Sequence, residues 1–325
     1  MDRLTDSAIA ELETLCPGGV LRDVDLSTLS RWRIGGRADL VLRPSSTEEI
    51  AALLRWFAAM DIRPVVIGHT TNLLFDDAGL RVPCIRIGAR MADIHLVDRE
   101  IVAQSGIWVP DLARKAMQAG LAGIEHTCGI PGTLGGLVCM NGGSQRQGIG
   151  SHVAIVESVS LTGKILTRTA AQCGFAYRTS IFQTNGEIIA AVRMQLARGS
   201  TSEIRAKMRA ILADRRSKFP RKEPNCGSVF KSNPAMYSEI GPPGVAIERL
   251  GLKGKRIGGA MVSPLHANFI VNSGGATAQD VLTLISAISD KVETATGYRM
   301  HAEALFVSAD RVIRPADNVL SEFSS

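Results

Sequence analysis

The sequence predicts an α+β protein of more than one packed unit. Three observations carry this: strand-like and helix-periodic segments alternate up to about residue 120, residues 151–197 are rich in strand-like runs, and the remainder returns to helices separated by short apolar strands. The chain has 325 residues, 45% of them apolar and 21% charged, and a chain of that length divides into about two or three domains.

In chain order, residues 5–15 carry Ile9, Leu12 and Leu15 at helical spacing. Asp39 to Leu42 reads as a strand, and Pro44-Ser-Ser-Thr-Glu-Glu is an N-cap signature before a helix over residues 47–60. Pro64-Val-Val-Ile-Gly68 reads as a buried strand that ends in a polar loop, and further strands are expected at 84–88 and 100–105. Pro110 and Asp111 open a helix over 109–119 that Gly120 closes. Val153-Ala-Ile-Val-Glu-Ser-Val-Ser-Leu, Lys164-Ile-Leu-Thr and Glu187-Ile-Ile-Ala-Ala-Val form the strand-rich part. A boundary is expected near Arg198-Gly-Ser-Thr, before a helix over 202–216 with Ile204, Met208 and Leu212 on one face. The rest holds a helix near 243–250, a strand at 268–272, a helix over 279–294 with Val281, Leu284, Ile288 and Val292 as its stripe, and a strand at 304–307. The polar stretch after Ala309 reads as a tail, partly disordered.

Composition excludes several classes. With 37 Lys and Arg against 31 Asp and Glu the net charge is +6, spread along the chain, and aromatic residues are only 5% of it, so a nucleic-acid stacking platform is not expected. The six cysteines form no C-x-x-C pair, which argues against a zinc site or a disulfide framework. Acids stand at the N-terminus where a secretory signal needs a basic region, and no apolar run approaches the roughly 18 residues of a membrane span. The expectation is a cytoplasmic protein with reduced thiols and no metal.

Four stretches could carry chemistry. Gly129-Ile-Pro-Gly-Thr-Leu-Gly-Gly136, running on to Met140-Asn-Gly-Gly143, can bring several backbone N–H groups close to a phosphate or a flat ring. It is neither a G-x-G-x-x-G nor a Walker loop, and a plain glycine-rich connector is the alternative. Two further loops, Arg33-Ile-Gly-Gly36 and Gly68-His-Thr-Thr-Asn72, suggest with it one large phosphate-bearing cofactor. Pro224-Asn-Cys-Gly-Ser-Val-Phe-Lys231 places Ser228 after a glycine without a hydrolase elbow, behind a basic run at Arg215, Arg216, Lys218, Arg221 and Lys222 that either faces solvent or cradles a diphosphate. Tyr177-Arg-Thr-Ser-Ile-Phe182 sets an arginine between aromatics, and Glu303 enters an apolar strand.

Together and in this order, these motifs resemble the UDP-N-acetylenolpyruvoylglucosamine reductases of peptidoglycan synthesis. The resemblance covers residues 28–307 and adds Gly251-Leu-Lys-Gly254 and His266-Ala-Asn-Phe-Ile-Val-Asn272 to the motifs quoted. It implies a two-lobed FAD-binding domain of the vanillyl-alcohol oxidase (PCMH) type followed by an α+β substrate-binding domain. The expected segments are a helical N-terminus (1–28), FAD-binding lobes at 29–89 and 90–199, a substrate-binding domain at 200–310 and a tail at 311–325. It also implies that NADPH reduces FAD, leaves, and is replaced by the enolpyruvyl sugar nucleotide, in a monomer or weak homo-oligomer.

By this resemblance Arg178 and Glu303 face the substrate carboxylate and Ser228 is the general acid that protonates the carbanion. FAD contacts fall on Arg33, Ile34, Gly35, Gly36, Gly68, His69, Thr70, Thr71, Asn72, Leu73, Gly129, Ile130, Pro131, Gly132, Gly135 and Gly136, and substrate contacts on Tyr177, Lys218, Lys231, Asn233, Met261 and His266.

The chain departs from the family pattern at binding positions. Gly68-His-Thr-Thr-Asn72 replaces Gly-Gly-Gly-Ser-Asn. Ser232 and Asn233 stand where one asparagine is usual, and Met261 stands for a glutamine. Asn141-Gly-Gly-Ser-Gln-Arg replaces Asn-Ala-Gly-Ala-Tyr-Gly. Two alternatives follow: a flavoenzyme for a different nucleotide-linked sugar, and a non-catalytic binder of flavin or a nucleotide sugar.

Overall fold

The structure, a computed structural model, describes residues 4–320. It divides into two compact units. The first comprises the described residues up to Arg22, Leu40–His69 and Pro83–Arg215; the second comprises Asp23–Asp39, Thr70–Val82 and the described residues from Arg216 on. These units interleave along the sequence, unlike the contiguous segments expected above.

The first unit contains most of a four-stranded sheet in the order Val20–Asp25, Arg37–Leu42, Cys84–Arg86, Val65–Ile67. Val41 and Val65 both pair in parallel with Cys84. Arg37–Leu42 and Val65–Ile67 flank Cys84–Arg86 in the same direction, so the chain must cross over between them, and helix Thr47–Ala59 is that crossover. Ser46 starts that helix by accepting from the Glu49 N–H at 3.1 Å, as the N-cap signature predicts. Ile50, Leu53, Leu54 and Phe57 bury its inner face, in one cluster with Val159, Ile188 and Ala190 of a second, five-stranded antiparallel sheet.

That sheet runs Ile165–Thr169, Val153–Val159, Ile188–Gln195, Glu100–Gln104, Ile94–Val97. The strand-rich part expected at 151–197 is its centre. Helix Thr201–Lys218 lays Ile204, Met208 and Ile211 against Ala113, Met117 and Cys128.

The second unit packs around helix Ala278–Thr296, which buries Val281, Leu284, Ile288 and Val292, the stripe read from the sequence. Each such aliphatic side chain contributes about 1.5–3 kcal/mol on burial. Thr277 and Asp280 close a capping box at its start. Against it lie an antiparallel meander, Arg256–Ile257, Ala260–Val262 and Ile270–Asn272, and a mixed sheet in which Leu305–Val307 runs parallel to Leu73–Phe75 and antiparallel to Ile313–Pro315. Trp32 is fully buried here, its indole N–H donating to the Ile270 carbonyl at 2.8 Å.

The expected polar tail is corrected in part. Ile313–Pro315 is a strand, and the buried Asp317 accepts from the Ala302 N–H at 2.9 Å, so this stretch is folded through at least Asn318. Asp317 looked solvated in sequence because its partners, His301 and Ala302, lie 16 and 15 positions earlier in the chain. Residues 321–325 of that expected tail lie outside the described residues.

Candidate active site

In the first unit the glycine-rich loop leads into helix Leu134–Cys139, which composition hides because it contains Gly135 and Gly136. Thr133 is its N-cap, accepting from the Gly136 N–H at 3.3 Å. The Leu134 and Gly135 N–H groups donate to Ile107 and Ser105 carbonyls at 3.0 and 2.8 Å. Those two amides are therefore occupied, whereas among the described residues no acceptor is found for the N–H of Gly132 or Thr133. Gly68 lies against the same loop. A Cβ there would stand 2.5 Å from Thr133 Oγ1, so any side chain would part the two loops. The neighbouring His69 ring tilts onto Trp108, 4.7 Å between centroids. Ile130 and Pro131, at the loop's start, are half-buried.

The turn carrying Tyr177 and Arg178 is fastened to the far end of the same helix. The Ser180 hydroxyl and the Gln183 amide donate to the Cys139 carbonyl at 2.6 and 3.0 Å, and Asn141 Nδ2 donates to the Ala176 carbonyl at 2.8 Å. Arg178 sits at φ 53°, unusual for a residue with a side chain, with its guanidinium 5.7 Å from the exposed Tyr177 ring. An open depression of about 510 Å³ is lined by Asn141, Gly150, Ser151 and Phe175, among others.

Directly before the glycine loop, Glu125 and His126 are buried, which the sequence reading did not single out. Glu125 accepts from the Gly123 N–H at 3.0 Å and meets Lys207 at 3.4 Å. His126 Nδ1 accepts from the Ser144 N–H at 3.4 Å, and its Nε2 is buried without a partner. Burial, with His152 6.4 Å away as the next cause, pushes His126 down to about 4. It is neutral at pH 7.

In the second unit the Ser228 segment and the Glu303 segment run side by side. The Glu303 N–H donates to the Val229 carbonyl at 2.7 Å, and Phe230 pairs with Ala302 in an antiparallel bridge. Gly227 provides φ 91° immediately before Ser228, a conformation that suits glycine, and its amide donates to Asn225 Oδ1 at 3.0 Å. Asn268, buried, clamps the next residues: its carbonyl accepts from Val229, its Oδ1 accepts from the Phe230 N–H at 2.9 Å and its Nδ2 donates to the Phe230 carbonyl at 3.0 Å. An asparagine inside an apolar run was the signal for it. Cys226 beside this segment is buried, and burial followed by the charge of Glu303 raises its thiol well above the usual range, so it stays protonated.

Asn72 ties the Gly68–Leu73 loop to the same segment. Its Nδ2 donates to the Glu303 carbonyl and its own carbonyl accepts from Leu305, at 2.8 and 2.9 Å, while Leu73 pairs with Leu305. The Arg33–Gly36 turn belongs to this unit too, with Arg33 at φ 56°, Ile34 buried, the Gly36 N–H on Asp76 at 3.1 Å, and a Cβ on Gly35 only 2.8 Å from Cβ of Phe75. Thr70 is buried near that turn, while Thr71 is half-buried.

The residues expected at the substrate scatter more widely. His266 forms an aromatic trio with Phe219 and Phe269 at 5.0–5.3 Å, and burial, followed by Lys253, lowers its pKa. Asn233 Oδ1 caps helix Pro234–Glu239, accepting from Ala235 at 3.0 Å. Met261 is half-buried in the middle of its strand, Lys231 donates its N–H to the His301 carbonyl at 2.9 Å, and Lys218 is exposed at the end of its helix.

These features fit a ligand held through backbone amides and phosphates, as FAD is, and comparison with known proteins agrees. The FAD binding domain family matches residues 38–169, and the family of the UDP-N-acetylenolpyruvoylglucosamine reductase C-terminal domain matches residues 219–307. The chain is 45% identical over 300 residues to UDP-N-acetylenolpyruvoylglucosamine reductase 1 of Corynebacterium glutamicum, covering 92% of this chain and 90% of that one. It is 39% identical over 286 residues to the reductase of Heliobacterium modesticaldum, covering 88% and 90%. The crystal structure of the Thermus caldophilus reductase superposes with a TM-score of 0.74 at 29% identity, covering 88% of this chain and 98% of that one. With an FAD-binding part and a reductase C-terminal part both matched, the chain belongs to the UDP-N-acetylenolpyruvoylglucosamine reductase family, whose members are FAD-dependent oxidoreductases.

Proposed function

We propose that the protein reduces the enolpyruvyl group of UDP-N-acetylenolpyruvoylglucosamine to give UDP-N-acetylmuramate, with NADPH as the electron source. The observation that carries this is the pairing of the Ser228 and Glu303 segments through the Glu303–Val229 hydrogen bond, which runs the two backbone segments side by side. FAD held by the residues named below would supply the hydride chemistry, from NADPH to the terminal carbon of the enolpyruvyl group.

The backbone amides of Gly132 and Thr133, with the Arg33–Gly36 and Gly68–Leu73 loops, are the proposed FAD contacts. Residues 29–89 and 90–199 are assigned to the cofactor and residues 200–310 to the substrate. Hydride addition leaves electron density on the adjacent carbon and its carboxylate. Arg178 is proposed to offset that charge, and Glu303 to share the role while protonated. The Ser228 hydroxyl is the proposed proton donor to the carbon, leaving an alkoxide that must regain a proton before the next turnover. Tyr177, Lys218, Lys231, Asn233, Met261 and His266 are assigned to the sugar nucleotide. Site of action in the cytoplasm follows from that substrate class.

The test is the spectrum and the turnover of the purified protein. A bound flavin spectrum, with NADPH oxidation accelerated by UDP-N-acetylenolpyruvoylglucosamine, is the expected result. Protein that cannot be reconstituted with FAD refutes the reading. Flavin reduction without acceleration by that sugar points to a different nucleotide-linked sugar, the reading that Met261 favours by lacking the amide of a glutamine.

A further inference from the structure

Thr70 adopts φ 53°, a left-handed conformation that is a marked outlier for a β-branched side chain, in a residue only 3% exposed. Such strain persists only where surrounding contacts over-determine it, and it concentrates at ligand clamps. The contacts are identifiable. The Thr70 hydroxyl donates to the Leu29 carbonyl at 2.8 Å and accepts from the Arg31 N–H at 3.3 Å. Leu29 is the last residue of the short helix Leu26–Leu29, whose terminal carbonyls lack helical partners, and Arg31 begins the turn that leads to Arg33. The same threonine carbonyl accepts from the Leu73 N–H at 3.2 Å, closing the loop that presents Asn72 to the Glu303 carbonyl. One hydroxyl thus ties its loop to Arg31 and Leu29, 39 and 41 positions away, at the entrance to the Arg33–Gly36 turn.

We propose that Thr70 is a positioning residue: its hydroxyl locks the Arg33–Gly36 turn to the Asn72 loop and so holds both in their cofactor-binding shape before FAD arrives. The inference rests on the FAD-dependent reading above. Preorganisation of this kind lowers the cost of binding and leaves proton transfer untouched. Its removal therefore appears first in FAD affinity.

Three variants separate hydroxyl from strain. Thr70→Ser keeps the hydroxyl, Thr70→Val keeps the branched shape without it, and Thr70→Gly removes both the hydroxyl and the conformational strain. With apoprotein titrated by FAD and followed by flavin fluorescence, Thr70→Val and Thr70→Gly are expected to raise Kd roughly ten-fold, whereas Thr70→Ser stays within about three-fold of wild type. A thermal melt of each apoprotein separates this from general destabilisation, since Thr70→Gly relieves strain yet still loses affinity. The proposal is overturned by wild-type Kd in Thr70→Gly or Thr70→Val, or by Thr70→Ser binding as weakly as Thr70→Val. If Thr70→Val does not fold, the glycine and serine pair decides. Wild-type protein that binds no FAD overturns the functional reading as well, so the two failures are distinguishable.

Discussion

Asn72 and Glu303, 231 positions apart, are joined by a 2.8 Å hydrogen bond from the asparagine amide to the glutamate carbonyl. Leu305 returns its N–H to the Asn72 carbonyl at 2.9 Å, so the loop is joined to the Glu303 segment at two points. The Gly68–Leu73 loop and a catalytic candidate therefore share a single support.

Asn72→Ala removes that support without touching the Glu303 side chain. One hydrogen bond to a backbone carbonyl is worth about 1 kcal/mol, so kcat/KM is expected to fall about five- to ten-fold. Asn72→Asp should be worse, because its carboxylate faces the Glu303 carbonyl with no donor. Steady-state kinetics with both variants checks this, and equal activity in Asn72→Asp and wild type would contradict it.

Ser228→Ala separates the two half-reactions. Reduction of the flavin by NADPH, read at the flavin absorbance in a stopped-flow, should be unchanged. Turnover of the enolpyruvyl acceptor should drop by roughly 10²–10⁴, the usual contribution of a positioned general acid. Unimpaired turnover would remove Ser228 from the mechanism.

Asn268→Ala leaves the buried N–H and carbonyl of Phe230 without their partners at 2.9 and 3.0 Å. Two unsatisfied buried groups cost about 2–4 kcal/mol, measurable as a lower urea midpoint. Activity should fall with it, since the same residue holds the segment next to Ser228.

His126 predicts an acid limb in stability. Its folded pKa, about 4, is below the ordinary 6.5, so the unfolded chain binds the extra proton and stability is lost as pH falls from about 6.5 to about 4. The stabilisation present at neutral pH and lost across that window is up to roughly 3 kcal/mol. His126→Phe should flatten this part of the pH profile in urea titrations; an unchanged slope between pH 6.5 and 4 counts against it.

Gly68→Ala places a methyl 2.5 Å from Thr133 Oγ1. Overpacking of this kind costs about 1–3 kcal/mol and should weaken FAD binding by displacing the glycine loop. Thr133→Ala in the same chain removes the clashing atoms and should restore part of the affinity, at the cost of the helix cap. A double-mutant cycle on the FAD Kd tests the coupling.

Long periodic segments were legible from local pattern alone. The stripe of helix Ala278–Thr296 and the Ser46 cap of helix Thr47–Ala59 are written in residues a few positions apart, where spacing decides which face is buried. The short elements were not legible. Helix Leu134–Cys139 hides behind two glycines, and strand Ile313–Pro315 looks like polar tail until Leu305–Val307 pairs with it.

The motifs in order, and through them the family, were determined by the sequence, because each motif's chemistry is local to a few residues. Only the tertiary structure decided how they are supported. That Asn72 holds Glu303, that Asn268 clamps Phe230 and that Thr70 bridges Leu29 and Arg31 are pairings across 38 to 231 positions. No local pattern encodes them, since the hydrogen-bonding needs of a buried backbone group state that a partner must exist without saying where in the chain it lies.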